Sequence, residues 1–239
     1  MIARMSAPGE GPEAARAEFT DALSAACRGL DLSVSEDQAE TMWRHYSLMV
    51  AANRHTNLTR ITAPAQAAVK HYADSLALLS WARACDAISS GARVLDVGTG
   101  AGFPAVPLAV CQPEWRFLAV DSTRKKATFV GDAAAALALD HLSVRHARAR
   151  ELAGHVEPFE LVTCRAAGDL LTYFRETRRL IAPGGWVVCY TTPNAFTGLT
   201  PAKRRQAERM GFDPPHRHDY PLVSADQRID RVLAAWQRR

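Results

Sequence analysis

Arg93-Val94-Leu95-Asp96-Val97-Gly98-Thr99-Gly100-Ala101-Gly102-Phe103-Pro104 carries three kinds of structure in one short run. Val94, Leu95 and Val97 form the apolar run of a buried parallel strand. Gly98, Gly100 and Gly102 follow at alternate positions, where a missing Cβ lets the backbone turn sharply and lie flush against a ligand. Pro104 and Pro107 suit the first turn of a helix, in which an absent N–H costs little. Strand, tight turn and helix in that order place a nucleotide-like ligand over the turn. The dinucleotide fingerprint G-x-G-x-x-G does not fit, because its last glycine would fall on Phe103.

Downstream of this stretch the pattern alternates. Runs at 93–97, 116–120, 142–146, 159–164, 185–190 and 228–236 read as strands, and segments near 103–111, 123–139, 168–182 and 201–210 as helices. Such alternation gives an α/β protein, a mostly parallel twisted sheet with right-handed crossovers and helices on both faces. The ligand then belongs at the carboxyl ends of the strands, beside the topological switch point. Pro183-Gly184-Gly185 reads as punctuation before the fifth strand, and Asp213 to Pro221 as a Pro-rich loop before the last. Upstream, 13–90 reads as a helical region packed on a core of 91–239, and 1–12 as a disordered tail. Ala15, Phe19, Leu23 and Ala26 recur at helical spacing. Ser35 and Gln38 suggest a capping box ahead of Met42, Trp43, Tyr46, Met49 and Val50, a stripe whose plain reading is core packing. Thr62 is the expected cap of the next helix, with Pro64 near its start and Trp81 near its end.

Composition narrows the function classes. No apolar run reaches the roughly 18–20 residues of a membrane span, and the amino-terminal residues lack the apolar segment of a signal peptide. Cys27, Cys85, Cys111, Cys164 and Cys189 are odd in number and form no C-x-x-C, which favours free thiols in a reducing cytoplasm over disulfides or a zinc site. No metal is expected. A formal net charge of +4 is too mild to demand a nucleic-acid partner by itself.

The candidate site residues sit at strand ends. Asp96 can accept hydrogen bonds from loop N–H groups or from a ligand amino group, or serve as a strand-end cap. Asp121 lies 23 positions beyond Gly98, close to where an acidic residue grips a ribose through its hydroxyls. Its alternative is a helix N-cap, which Ser122 or Thr123 could equally supply. Phe103 is a pocket wall or simply core. Arg124, Lys125 and Lys126 oppose the dipole at a helix N-terminus, so a phosphate contact beside the ligand mouth competes with a solvated face. Arg165 closes the fourth strand, and its planar donor fork can bind a carboxylate, a phosphate or a guanine edge.

With these residues in place, Asp96 to Gly102 resembles motif I of the class I S-adenosylmethionine-dependent methyltransferases. From about residue 40 to the C-terminus the chain is similar to the bacterial small-subunit rRNA methyltransferase G family, also called glucose-inhibited division protein B. The marks are Asn57-Leu58-Thr59, Lys70-His71 with Asp74-Ser75-Leu76, Asp96 to Pro104 with Pro107-Leu108, Asp121-Ser122 with Lys125, and Arg165-Ala166. The resemblance implies a Rossmann-like class I methyltransferase fold with an N-terminal helical extension. It also implies S-adenosyl-L-methionine as donor and N7 of guanine 527, in the 530 loop of 16S rRNA, as acceptor, on free rRNA or the small ribosomal subunit. By matching positions it carries cofactor contacts to Gly98, Phe103, Ala149-Arg150 and Arg165, beside Asp96, Gly100, Gly102, Asp121 and Ser122 read above. Two departures stand out. Ala101-Gly102-Phe103-Pro104-Ala105 replaces a frequent P-G-[LFI]-P-G, and Thr191-Thr192 replaces a usual Lys-Gly. Many amino-group methylating enzymes carry D-P-P-aromatic after the fourth strand. Here Asp213-Pro214-Pro215-His216 follows the fifth strand and reads as a turn.

Guanine N7 holds a free lone pair at neutral pH, so its methylation needs no general base, and none stands out. Arg165 is expected to position substrate. RNA contacts are expected at Lys70, His71, Arg124, Lys125, Arg228 and Arg231, whereas Lys203-Arg204-Arg205 and Arg209 read as a solvated helix face. A monomer is expected. The rival readings are a small-molecule methyltransferase of the same fold, with an apolar lid from the N-terminal helices, and a catalytically impaired RNA-binding relative.

Overall fold

The computed structural model describes residues 12–165, 170–224 and 227–239. Residues 1–11 of the expected tail, and Ala166 to Gly168 after Arg165, lie outside them. The chain opens with α1 (Pro12–Arg28) and α2 (Glu36–Asn53). Ser35 accepts the Gln38 N–H while the Gln38 side chain accepts the Ser35 N–H, so the capping box forms. A cap of this kind contributes about 1 kcal/mol. The apolar stripe contributes more. Phe19 packs against Trp43, Tyr46 and Tyr72 at 5.6, 5.2 and 5.0 Å, and each such buried ring is worth about 1.5–3 kcal/mol.

α3 (Pro64–Ala67) begins without the expected Thr62 cap: its N-cap is Ala63, and no side chain caps it. The Thr62 carbonyl accepts the Tyr46 hydroxyl at 2.6 Å instead, which ties this turn to α2. A π-helical turn, Ala68–Ala73, then leads into α4 (Asp74–Cys85), which runs past Trp81. Trp81 meets Trp186 edge-on at 5.2 Å and fixes α4 to the sheet.

The sheet and its helices follow as β1 (Arg93–Val97), α5 (Ala105–Cys111), β2 (Arg116–Asp121), α6 (Arg124–Ala136), β3 (Leu142–His146), β4 (Phe159–Arg165), α7 (Leu170–Thr177), β5 (Ile181–Thr191), α8 (Pro193–Thr197), α9 (Pro201–Arg209), β6 (His216–Val223) and β7 (Arg228–Gln237). The strand order is β3-β2-β1-β4-β5-β7-β6. The first five strands are parallel, and β7 and β6 are antiparallel additions. β1 lies between β2 and β4, so the order reverses beside it and a crevice opens at its carboxyl end. Helices cover both faces. One face joins the N-terminal helices and α5 to the sheet through Tyr72, Leu76, Val106 and Leu108. The other joins α7 and α9 through Phe174 and Ala207, with Phe212 and Trp236.

Three expectations need correction. The Pro-rich loop expected over Asp213 to Pro221 is largely strand, because β6 is an edge strand and tolerates Pro221 there. β5 begins at Ile181, before Pro183-Gly184-Gly185, which forms an irregularity where Phe159 and Leu161 pair with Ile181 and Trp186. α7 accordingly ends at Thr177 rather than near 182.

Candidate active site

The glycine bend is built by the strands around it. Gly98, Gly100 and Gly102 take φ of 75°, 61° and 97°, the left-handed region that suits glycine. The Gly98 and Thr99 N–H groups both donate to the Val120 carbonyl, at 2.8 and 3.1 Å, so the end of β2 holds the bend. The three glycines do different work. A Cβ on Gly98 would meet nothing within 4 Å, whereas one on Gly102 would strike Val106 Cγ2 at 2.7 Å and crowd His45 Nε2 at 3.3 Å. Gly98 therefore leaves room above the turn, and Gly102 lets α2 and α5 close beneath it.

Asp121 is not the cap of α6, whose N-cap is Thr123, but it ties the bend to the start of that helix. One carboxylate oxygen accepts the Gly100 N–H at 3.0 Å and the other the Thr123 N–H at 2.8 Å. A carboxylate offers about four lone-pair sites, so acceptor capacity remains for hydroxyls over the turn. Asp96 lies deeper, opposite Thr163 in the β1–β4 register, and accepts the Thr163 hydroxyl at 3.1 Å. Its other oxygen, Oδ2, has no partner and is buried. Burial pushes the Asp96 carboxyl up to about 6, against the opposing pull of the neighbouring Thr99 and Thr163 hydroxyls and of Arg165.

Phe103 forms a wall between bend and N-terminal helices. It stacks on His71 at 4.7 Å and meets Tyr72 and His45 edge-on at 5.0 and 5.5 Å. The Asn57-Leu58-Thr59 segment explains itself here. Asn53 accepts the Leu58 and Thr59 N–H groups, and the Thr59 hydroxyl meets His71 Nε2 at 2.8 Å. Burial, then the Arg165 charge, push His71 down to about 4, so its ring is neutral at pH 7.

Arg165 is held by the π-helical turn. It pairs with buried Asp74 at 2.8 Å and donates to the Lys70 carbonyl at 2.8 Å. A π turn shifts the helical ladder by one residue. The Asp74 N–H accordingly donates to His71 and Val69 carbonyls, which leaves that of Lys70 to Arg165. Arg231 also pairs with Asp74, at 3.1 Å, and the Tyr220 hydroxyl donates to the same carboxylate at 2.7 Å. One carboxylate on α4 thus gathers groups from β4, β6 and β7.

The expected site residues therefore divide. Asp96, the bend, Phe103, Asp121 and Arg165 converge at the crevice. Ser122 is exposed beside it, and its carbonyl meets His146 Nε2 at 3.0 Å. Ala149 is buried and Arg150 exposed on a short 3-10 turn after β3. Arg124 and Lys125 are exposed at the start of α6, where no side chain caps the helix. Arg231 is committed to Asp74 and His71 is neutral and half-buried, so neither presents a free cation to RNA, while Arg228 is exposed and paired with Asp230. The sequence hides His45, which touches the bend from α2, because it is a polar residue on the buried Met42–Met49 stripe, and it shows Asp74 only as a motif letter. Thr192 has a local role that suits its departure from the family pattern: its hydroxyl accepts the Ala195 N–H and caps α8.

Among the described residues no cluster of three or more His, Cys, Asp or Glu could hold a metal ion, and no helix is long and apolar enough to cross a membrane. The sheet order, the glycine bend at its switch point and the acidic strand ends together define a Rossmann-like methyltransferase. The GidB family, rRNA small subunit methyltransferase G, matches residues 38–209, more than half of the chain. The chain belongs to that family. The Ribosomal RNA small subunit methyltransferase G of Solibacter usitatus is 40% identical over 168 residues, 70% of this chain and 76% of its own. That of Leuconostoc citreum is 30% identical over 216 residues, 89% of each chain. Among solved structures, the YcgJ protein of Bacillus subtilis shares the fold with a TM-score of 0.52 at 16% identity, over 69% of this chain and 98% of its own.

Proposed function

We propose that this protein transfers the methyl group of S-adenosylmethionine to N7 of guanine 527 in the 530 loop of 16S rRNA. The observation that carries the reading is the open space over Gly98 at the carboxyl ends of the sheet. The family match gives that space its chemistry, and the relatives are named for small-subunit rRNA. The residues present fit the cofactor. Gly98 and Gly100 admit close backbone approach, Asp121 keeps acceptor capacity for ribose hydroxyls, and the buried Oδ2 of Asp96 is an unpartnered acceptor.

S-adenosylmethionine supplies an electrophilic methyl group: the N7 lone pair forms the new bond, and the sulfur keeps the electrons of the old one. No proton leaves, so the chain's task is positioning, which can lower a barrier by about 7–11 kcal/mol in favourable cases. Phe103 and His71 wall the crevice, and the neutral imidazole keeps positive charge away from a ring that becomes cationic. Arg165 is a positioning group, held by Asp74 and the Lys70 carbonyl. Arg124 and Lys125 are exposed at the start of α6 and suited to RNA phosphates, while Arg150, exposed after β3 beside Ala149, is suited to the cofactor. A small-molecule enzyme would call for an apolar lid. The N-terminal helices instead bring Lys70, His71 and the Asp74–Arg165 pair to the rim. The reading places the protein in the cytoplasm, as a monomer.

The test is methyl transfer from tritiated S-adenosylmethionine onto deproteinised 16S rRNA and onto assembled small subunits lacking the modification. Label is expected in RNA from at least one of them. Label in neither, with turnover on a metabolite, would overturn the reading.

A further inference from the structure

We infer that the face formed by α7 and α9 is a second docking surface for ribosomal RNA, on which Arg175, Arg178, Arg205 and Arg209 hold backbone phosphates. The inference rests on the rRNA reading above, and it concerns a surface that the crevice does not include. Among the described residues, the four arginines line one open groove of about 820 Å³ with Ala202, Gln206 and Met210, and no acidic residue lines it.

Other exposed arginines, Arg28 and Arg124 among them, also lack a carboxylate partner, but these four converge on one groove. Arg16, Arg93, Arg217, Arg228 and Arg239 each pair with a carboxylate. Among the described residues, the four groove arginines are exposed and pair with none. Helix energetics do not account for them. Arg175 and Arg209 lie in last turns, where a cation is favoured. Yet Arg205 and Arg209 are four apart on α9, and like charges so spaced repel, while Arg178 lies in the turn beyond α7. A groove that concentrates unneutralised guanidinium groups suits a polyanion, since each planar fork can take a phosphate through two hydrogen bonds. An acidic protein partner is disfavoured, because among the described residues Met210 and Ala202 are the only apolar lining and no aromatic anchor is offered.

Position gives the surface its function. α7 and α9 pack on the sheet face opposite the N-terminal helices. α7 starts beyond the carboxyl end of β4 and runs back toward the start of β5, so Arg175 and Arg178 lie away from the bend. Contacts there would add affinity for a large RNA without touching the reacting atoms.

The test is the Arg205→Glu/Arg209→Glu double variant, assayed for methyl transfer to small subunits or 16S rRNA. KM for the RNA substrate should rise about tenfold or more, while kcat and cofactor affinity stay within about twofold. The slope of log affinity against log salt should fall by about 1.4–1.8, two phosphate contacts' worth. An Arg28→Glu/Arg83→Glu variant makes the same net-charge change on the other face and should leave KM near wild type. If the reversal disturbs cofactor binding, Arg205→Gln/Arg209→Gln should still raise KM, by a smaller factor. A KM within twofold of wild type, or a rise matched by the Arg28/Arg83 control, would overturn the inference. Should the wild type methylate no rRNA, the activity reading fails instead, and direct binding of deproteinised 16S rRNA to wild type and variant still decides the groove.

Discussion

Two glycines four residues apart make opposite predictions. Gly98→Leu meets no neighbour but takes an unfavourable left-handed φ, a cost of roughly 1–2 kcal/mol. Its side chain would fill the space above the bend, so calorimetry should show no binding of S-adenosylmethionine to a protein that still unfolds cooperatively. Gly102→Ala adds a clash with Val106 to the same φ cost, and overpacking of that kind adds about 1–3 kcal/mol. It should lower the unfolding temperature more than Gly98→Leu does. Asp96 gives the pH-dependent case. Its folded pKa of about 6 lies above the ordinary value of 3.8. Between those values the folded state binds the extra proton, so the carboxylate's ionisation opposes folding increasingly as pH rises through that window. Above it the full cost applies, roughly 3 kcal/mol at most. Asp96→Asn should therefore be more stable than wild type at pH 8 and no more stable at pH 4, while binding cofactor more weakly. Denaturant titrations at the two pH values check the sign, and an equal effect at both would refute it.

At the scale of elements, the sequence revealed what periodicity and short-range chemistry encode. The strand-turn-helix at Arg93 to Pro104 and the Ser35–Gln38 box were legible because each signal lies within a few residues. β6 was not, because Pro214, Pro215 and Pro221 mask a strand that only its edge position permits. The π turn at Ala68–Ala73 leaves no signature in composition, yet it frees the carbonyl that holds Arg165. The Asp74 cluster was equally hidden, since Tyr220 and Arg231 lie 146 and 157 positions away along the chain. The cluster carries its own prediction. Removing Asp74 leaves two half-buried guanidinium groups uncompensated, a loss of about 3–5 kcal/mol. Asp74→Ala should lower the unfolding temperature by about 6–20 °C and release Arg165 from the rim. An unfolding temperature within a degree or two of wild type would show that the pair does not join these elements.

The molecule sets its reactive crevice at the strand ends and a groove lined by four arginines on the α7–α9 face. The N-terminal helices do not merely cover the sheet, since His45 reaches the bend and Asp74 fixes Arg165. Deleting through Asn53 should therefore abolish cofactor binding as well as stability, which calorimetry on any soluble product would reveal. The most direct measurement is to map the methyl group. Small subunits lacking the modification are incubated with enzyme and S-adenosylmethionine, and their 16S rRNA is fragmented and read by mass spectrometry with base-specific scission at 7-methylguanine. The account predicts one added methyl group, at N7 of guanine 527, absent when Gly98→Leu replaces the wild type. A methyl group on another atom or nucleotide, or unchanged modification by Gly98→Leu, would contradict it.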